Sequence, residues 1–292
     1  MTLALPSRTR IATFSIVATD GVDWGVAVAS KFLAVGSAVP AAQAEVGALA
    51  TQAMANTGYK VLGMELLEAG RPASEVVEVL TGDDEGREHR QLGVVDRHGS
   101  AATYTGSQCY EWAGGRTGKG CACQGNILTG PEVVDALLTV FESSTGDLVD
   151  RLMTALAAGD EAGGDKRGRQ SAALLVARRH AGYGGFDDRM VDLRVEDHPR
   201  PIPELSRLLD LWRLYFDKAS AESLLPVDDS MRTRLRQALE RAGRVDPKAP
   251  QEAVWAAFDA WISEENLEER APSREAIDPL VLAKLEAAPS AG

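Results

Sequence analysis

Two hydroxyls, Thr13 and Ser15, fall on one face of a short β-like run, and a hydroxyl beside an amine, Ser30-Lys31, ends the next run. Side chains alternate along a strand, so residues two apart share a face. A hydroxyl becomes a useful nucleophile when a neighbouring base takes its proton, and a strand pair of this kind is a candidate for that arrangement. Other polar residues stand where apolar runs stop: Gln52 and Asn56 after a small-residue run, Asn126 after Gly125, and Asp165, Arg167, Arg169 and Gln170 in a glycine-rich segment. An asparagine amide with backbone N–H groups at a strand break is a candidate oxyanion hole. Paired arginines suit a carboxylate, which a guanidinium binds through two parallel hydrogen bonds. Each residue also has a plainer reading. Thr13 and Ser15 suit strand packing, Lys31 suits a strand edge with its stem along the surface, and Asn56 suits a helix cap. Asn126 suits a turn, and the 159–170 cluster suits a solvated loop. His89 reads as structural and His98 and His180 as surface residues, which leaves a Ser-His-Asp triad without support.

The elements that must position these residues follow from hydrophobic periodicity. Strands are predicted over 12–18 and 24–30 around a Thr19-Asp20-Gly21 turn, over 46–53, and over 90–96 and 101–105 around Arg97-His98-Gly99-Ser100. Further strands are predicted at 121–128, 171–178 and 191–195. Helices are predicted over 59–69, over 75–80 with Ser74 as cap, over 133–141 with Pro131 in the first position, and over 148–158. Residues 32–40 read as a loop or short strand, and 110–120 as a surface loop. Paired helices separating blocks of mostly antiparallel strands predict an α+β fold, a four-layer αββα sandwich. After Pro199-Arg-Pro-Ile-Pro203 the composition changes, and helices over 204–216, 231–242, 254–266 and 277–285 predict a small all-α domain. The expected divisions are an extension over 1–10, the αββα domain over 11–197, a linker helix over 198–222 and the helical domain over 223–292.

The totals narrow the function classes. A chain of 292 residues with 45 % hydrophobic and 25 % charged residues has enough material for a full core. A net charge of −12 argues against nonspecific binding to nucleic acid or to an anionic membrane. The opening MTLALPSRTR has no apolar run long enough for a signal peptide. Three cysteines make a disulfide framework unexpected and point to a reducing cytoplasm. With four histidines, and Cys121-Ala122-Cys123 off the CxxC spacing, a structural zinc site is not expected.

Several ordered motifs carry a resemblance: TFSIVA at 13–18, GVAVASKFLAVG at 25–36, ATQAMAN at 50–56, GREHRQLGVVD at 86–96, QGNIL at 124–128, GPEVV at 130–134 and GDKRGRQSAALLV at 164–176. Together, over about 11–197, they resemble the domain-of-unknown-function family 1028, placed in the N-terminal-nucleophile (Ntn) hydrolase superfamily. The tail, with LRQALERAG, ENLEER and IDPLVLAKL, resembles a peptidoglycan-binding-like domain. The resemblance implies an Ntn-type αββα fold and a nucleophile that becomes the first residue, its own α-amine serving as base because such an amine titrates near neutrality. Thr13 matches that position, after removal of residues 1–12. In a proteasome-type site an acid ends the second strand and a lysine follows on the third. Here Ser30-Lys31 ends the second strand and no lysine lies between Phe32 and Tyr59, so Lys31 departs from the usual pattern.

The expected activity is that of an amidohydrolase cleaving an amide or related C–N bond, other than a peptide bond, in a small carboxylate-bearing substrate. Thr13, Ser30, Lys31 and Asn126 form the catalytic set, and Gln52, Asn56, Asp165, Arg167, Arg169 and Gln170 the substrate-binding set. No metal or organic cofactor is implied, and a dimer or larger homo-oligomer is expected. The alternative is a non-catalytic Ntn-fold binding or assembly protein, recognising peptidoglycan fragments through the helical tail.

Overall fold

Valine, isoleucine, threonine and phenylalanine suit a pleated, buried surface, and the opening hairpin forms from them. Strands β1 (Thr13–Thr19) and β2 (Trp24–Ser30) pair antiparallel, with Thr13 opposite Ser30. Asp20 Oδ1 accepts the N–H groups of Val22 and Asp23 and closes the turn. The computed structural model describes residues 13–217, 221–270 and 273–290. The 1–10 extension and the Ala12–Thr13 bond lie outside the described residues.

The protein is mixed α+β and divides into two compact units, 1–206 and 207–292. After the hairpin, the first unit continues through α1 (Val35–Ala38), β3 (Pro40–Gln43), β4 (Gly47–Ala53), α2 (Gly58–Glu68), α3 (Ala73–Gly82), β5 (Arg90–Asp96) and β6 (Ala101–Thr105). Then come β7 (Gly114–Gly118), β8 (Cys121–Asn126), α4 (Glu132–Ser143), α5 (Leu148–Glu161), β9 (Ser171–Ala177), β10 (Arg189–Val195) and the start of α6 (Pro201–Phe216). One antiparallel sheet has the order β10-β9-β2-β1-β8-β7 and the other β3-β4-β5-β6.

Alternation along the strands decides what each face meets. Phe14 of β1 turns toward Leu137 and Gly159, where α4 and α5 cover the six-stranded sheet. Val17, Val26, Val28, Ala48, Ala50, Val95 and Ala122 meet one another between the two sheets. Leu49, Leu92 and Val94 face away from that layer, toward Tyr59, Leu67, Val76 and Leu80 of α2 and α3. Strand β1 is therefore enclosed on both faces, and all seven of its residues are buried.

Several boundaries differ from the sequence reading for physical reasons. Strand β7 runs through the segment read as a surface loop, because its glycines carry no β signal yet are required. A Cβ on Gly114 would stand 2.7 Å from the Trp112 ring, and one on Gly115 would stand 2.6 Å from Thr103 Oγ1. Helix α3 starts at Ala73, after Pro72 and without a side-chain cap bond, so Ser74 is not its cap. Pro131 is the cap residue of α4 rather than its first helical residue. Helix α6 begins at Pro201, ahead of the start at 204 that the sequence predicts. Prolines are tolerated there because first-turn N–H groups have no intrahelical partner.

In the second unit, β11 (Leu225–Pro226), α7 (Asp229–Arg241), α8 (Gln251–Glu264), β12 (Ala276–Ile277) and α9 (Pro279–Glu286) surround Leu235, Leu239, Trp255, Phe258, Trp261 and Leu285. The unit is helical apart from the two-residue pair of β11 with β12. Asp228 and Asp278 cap α7 and α9 by accepting the N–H groups of Met231 and Leu280. Among the described residues, no helix is long and apolar enough to cross a membrane.

Candidate functional site

The layer between the two sheets is apolar at one end and polar at the other. Thr13, Ser15, Ser30, Gln52, Gln91, Gln124, Asn126 and Ser171 gather at the polar end, none more than 2 % exposed. The strands bring them together by register: Thr13 on β1 is flanked by Ser30 on β2 and by Asn126 on β8. Thr13 Oγ1 lies 3.2 Å from Ser30 Oγ. Gln52 enters from the end of β4, as the sequence predicts. Gln91 and Gln124 were not anticipated as site residues, although their spacing carried the signal: Gln91, Gly93 and Val95 share one face of β5, and Ala122, Gln124 and Asn126 share one face of β8.

Atoms that can only accept set the direction of this network. Gln91 Nε2 faces the carbonyl oxygens of Gly125 at 2.7 Å and Gly114 at 3.2 Å, so Gln91 Oε1 is the acceptor on the other side. It accepts from Gln52 Nε2 at 2.8 Å and from Asn126 Nδ2 at 3.0 Å. Gln52 Nε2 also faces the carbonyl of Thr13 at 3.3 Å, which leaves Gln52 Oε1 to accept from Ser15 Oγ at 2.7 Å. Ser15 Oγ in turn accepts from Gln124 Nε2 at 2.7 Å. The series ends at Gln124 Oε1, which is buried without a partner. Gly93 makes room for it, since a Cβ there would stand 2.0 Å away. All the groups in this network are hydroxyls, amides and carbonyls.

Asn126, read as an oxyanion donor, gives one amide N–H to Gln91 Oε1, and its oxygen accepts no hydrogen bond among the described residues. The other predicted residues lie around the same strand ends in structural roles. Lys31 is exposed, with Nζ directed at the Arg169 carbonyl 3.3 Å away, while its N–H donates to Asp165 Oδ2 at 2.7 Å. Arg167 pairs with Asp165 at 3.1 Å and donates to the Lys31 carbonyl, and Arg169 pairs with Asp160 at 2.7 Å. Gln170 donates to Asp197 at 3.0 Å. The arginines predicted to hold a substrate carboxylate thus already hold carboxylates of the chain.

Asn56 belongs to a separate cluster. Its Oδ1 accepts from Gly58 N–H, but Thr57, not Asn56, is the cap residue of α2, and Asn56 Nδ2 donates to Asp84 Oδ2. Tyr59 Oη at 2.7 Å and Arg90 Nε at 2.8 Å donate to the same carboxylate. Burial alone would raise the Asp84 pKa, but the bonds from Arg90, Tyr59, the Gly86 N–H and Asn56 outweigh it and hold the carboxyl well below its ordinary range. Burial, followed by Asp84, pushes the Tyr59 phenol up. Arg90 also donates to the Met54 carbonyl, which fixes the chain beyond β4.

Beside this end of the sheets lies a shallow cleft whose enclosed room is about 10 Å³, near that of one water molecule, in front of open solvent. Ala53–Met54, His89, Gln108–Tyr110 and Asn126–Ile127 line it. Ala53 and Ile127 have φ of 65° and 53°, a left-handed backbone uncommon for residues with a side chain. Cys109 Sγ donates to the Arg90 carbonyl, and burial pushes its thiol up to about 11. Among the described residues, no group of three His, Cys, Asp or Glu side chains is placed to hold a metal ion.

The family described as a family of unknown function (DUF1028) matches residues 13–205, and the chain belongs to it. A crystal structure of a Silicibacter pomeroyi protein of that family is 32 % identical, with a TM-score of 0.63. The similarity covers 69 % of this chain and 89 % of that one. No curated protein matches the chain.

Proposed function

We propose that the first unit is an Ntn-type αββα sandwich that hydrolyses an amide or related C–N bond, with Thr13 Oγ1 as nucleophile. The observation that carries this reading is the setting of Thr13. It lies on a strand in the interior of the six-stranded sheet, in register between Ser30 and Asn126, and places its hydroxyl 3.2 Å from Ser30 Oγ. Hydroxyls and amides cannot take a proton near neutral pH, and the Lys31 amine is directed at the Arg169 carbonyl. In the Ntn chemistry that the family resemblance implies, the base is the α-amine of Thr13 itself, exposed by removal of residues 1–12. That amine accepts the hydroxyl proton as Oγ1 attacks the carbonyl carbon, then returns it to the departing nitrogen. Water releases the acyl group from Oγ1 by the same route in reverse.

One observation favours the alternative of a non-catalytic binding protein: Thr13 has no exposed surface in the full chain. An epoxyketone separates the two readings, because it cyclises only onto a residue that offers both a hydroxyl and a free α-amine. The hydrolase predicts a Thr13 adduct that Thr13→Ala abolishes. An unmodified chain after prolonged exposure favours the binding protein.

A further inference from the structure

The geometry points to a neutral ligand group that donates a hydrogen bond: we propose that the cleft beside Asn126 binds an uncharged carboxamide or ureido N–H, with Asn126 Oδ1 as its acceptor. The proposal shares Asn126 with the hydrolase reading above but concerns binding, and it stands whether or not Thr13 reacts.

The argument begins with the orientation of Asn126. Gly114 O and Gly125 O can only accept, so they fix Gln91 Nε2 and thereby Gln91 Oε1, and Gln91 Oε1 fixes Asn126 Nδ2. A flipped Asn126 would set two carbonyl oxygens about 3 Å apart with no proton between them. Asn126 Oδ1 accepts no hydrogen bond among the described residues. Nor does it rank with the sealed, unpartnered polar atoms, which are Arg97 Nε, Gln124 Oε1 and Gln251 Nε2. It therefore keeps some contact with solvent, and Asn126 is among the residues that line the cleft, although the residue as a whole is only 2 % exposed. A recessed acceptor of this kind is costly to leave unfilled once a ligand displaces its water, so it selects for an N–H or O–H donor.

The rest of the wall carries little charge. Among the described residues the lining holds no Asp, Glu, Lys or Arg side chain and one imidazole, His89, and Arg167 and Arg169 already pair with Asp165 and Asp160. A carboxylate at Asn126 would set its oxygens against Asn126 Oδ1, acceptor against acceptor. Ala53, Met54 and Ile127 supply apolar contact for a short alkyl stem. The group that fits is a small, uncharged, N–H-bearing one attached to an apolar stem, in place of the carboxylate-bearing substrate that the sequence predicts.

Three probes test this on the full-length protein: propionamide and propionate, of nearly equal size, and N,N-dimethylpropionamide, which lacks the N–H and is larger by two methyl groups. Binding is read by chemical-shift changes at the Asn126 side-chain amide and the Ile127 backbone amide, on the wild type and on Thr13→Ala. Propionamide is expected to bind about tenfold more tightly than the other two in both proteins, the worth of one good hydrogen bond. Asn126→Asp keeps an acceptor at that position and should retain a preference for propionamide over its dimethyl analogue, while Asn126→Leu should abolish it. Equal or tighter binding of propionate, no discrimination between the two amides, or no shift with any probe would overturn the inference. Because the probe series is read on the wild type, a variant that fails to fold does not remove the test. Discrimination that persists in Thr13→Ala, with no hydrolysis by either protein, would sink the hydrolase and leave the binding site.

Discussion

The polar end of the sheets is built from neutral residues whose positions are locked by one another. Gln91 is the junction: it satisfies Gly125 O, Gly114 O, Thr105 Oγ1, Gln52 and Asn126. Replacing it by leucine leaves several buried polar atoms without partners, each costing about 1–3 kcal/mol. Gln91→Leu should therefore lose at least about 3 kcal/mol in urea denaturation; a loss below about 1 kcal/mol would mean that the network is not what organises this end of the sheets. Asp84 gives a pH test. Its carboxyl titrates lower folded than unfolded, so its stabilisation is complete above the ordinary carboxylate value of about 4 and fades as pH falls through the folded value. Asp84→Asn should thus be most destabilising at neutral pH, and its deficit against the wild type should narrow steadily below about pH 4. A deficit that stays constant down to the acid limit would contradict the assigned role.

At the scale of elements, the separation between the two sheets is set by close approaches that tolerate no added atom. Gly93 on β5 faces Gln124 of β8, so Gly93→Ala should cost about 1–3 kcal/mol and disturb the side-chain amide signals of Gln124 and Gln52. Gly82, at the end of α3, has nothing within 4 Å of an added Cβ, and Gly82→Ala should be neutral or stabilising by up to about 1 kcal/mol. Denaturation of the pair checks both, and equal effects would refute the contrast. Much of this level was legible in the sequence. Strand alternation placed Thr13 and Ser15 together, the Asp20-Gly21 turn brought Ser30 opposite Thr13, and Gln52 lay at the end of a small-residue strand. Strands β3 and β7 were harder to read, because a proline-alanine run and a glycine run carry no β preference of their own and are held by their neighbours. The partners of Arg167 and Arg169 were also hidden. Asp160 lies at the end of α5, and only folding sets its carboxylate against Arg169. Spacing puts Gln91 on one face with Gly93 and Val95, and Gln124 on one face with Ala122 and Asn126, but only the second sheet shows what those faces meet.

Across the whole molecule, the two units rest on different kinds of core. The first is a pair of sheets clad in helices, and the second a helical cluster anchored by aromatic residues and one buried ion pair, Arg270 with Asp278. Arg270 also donates to the carbonyls of Arg213 and Leu214 near the end of α6. Arg270→Met strands a buried carboxylate and should cost about 3–5 kcal/mol, read through the fluorescence of Trp255 and Trp261, and adding Asp278→Leu should restore part of the loss. The hydrolase account makes its sharpest demand at one peptide bond, Ala12–Thr13, since the base it requires does not exist until that bond is cut. Intact-mass analysis of the purified protein, paired with turnover of a panel of small amides, tests this directly. The account predicts a chain beginning at Thr13, with turnover lost in Thr13→Ala; a chain that keeps residues 1–12 and hydrolyses amides equally well with and without the Thr13 hydroxyl would contradict it.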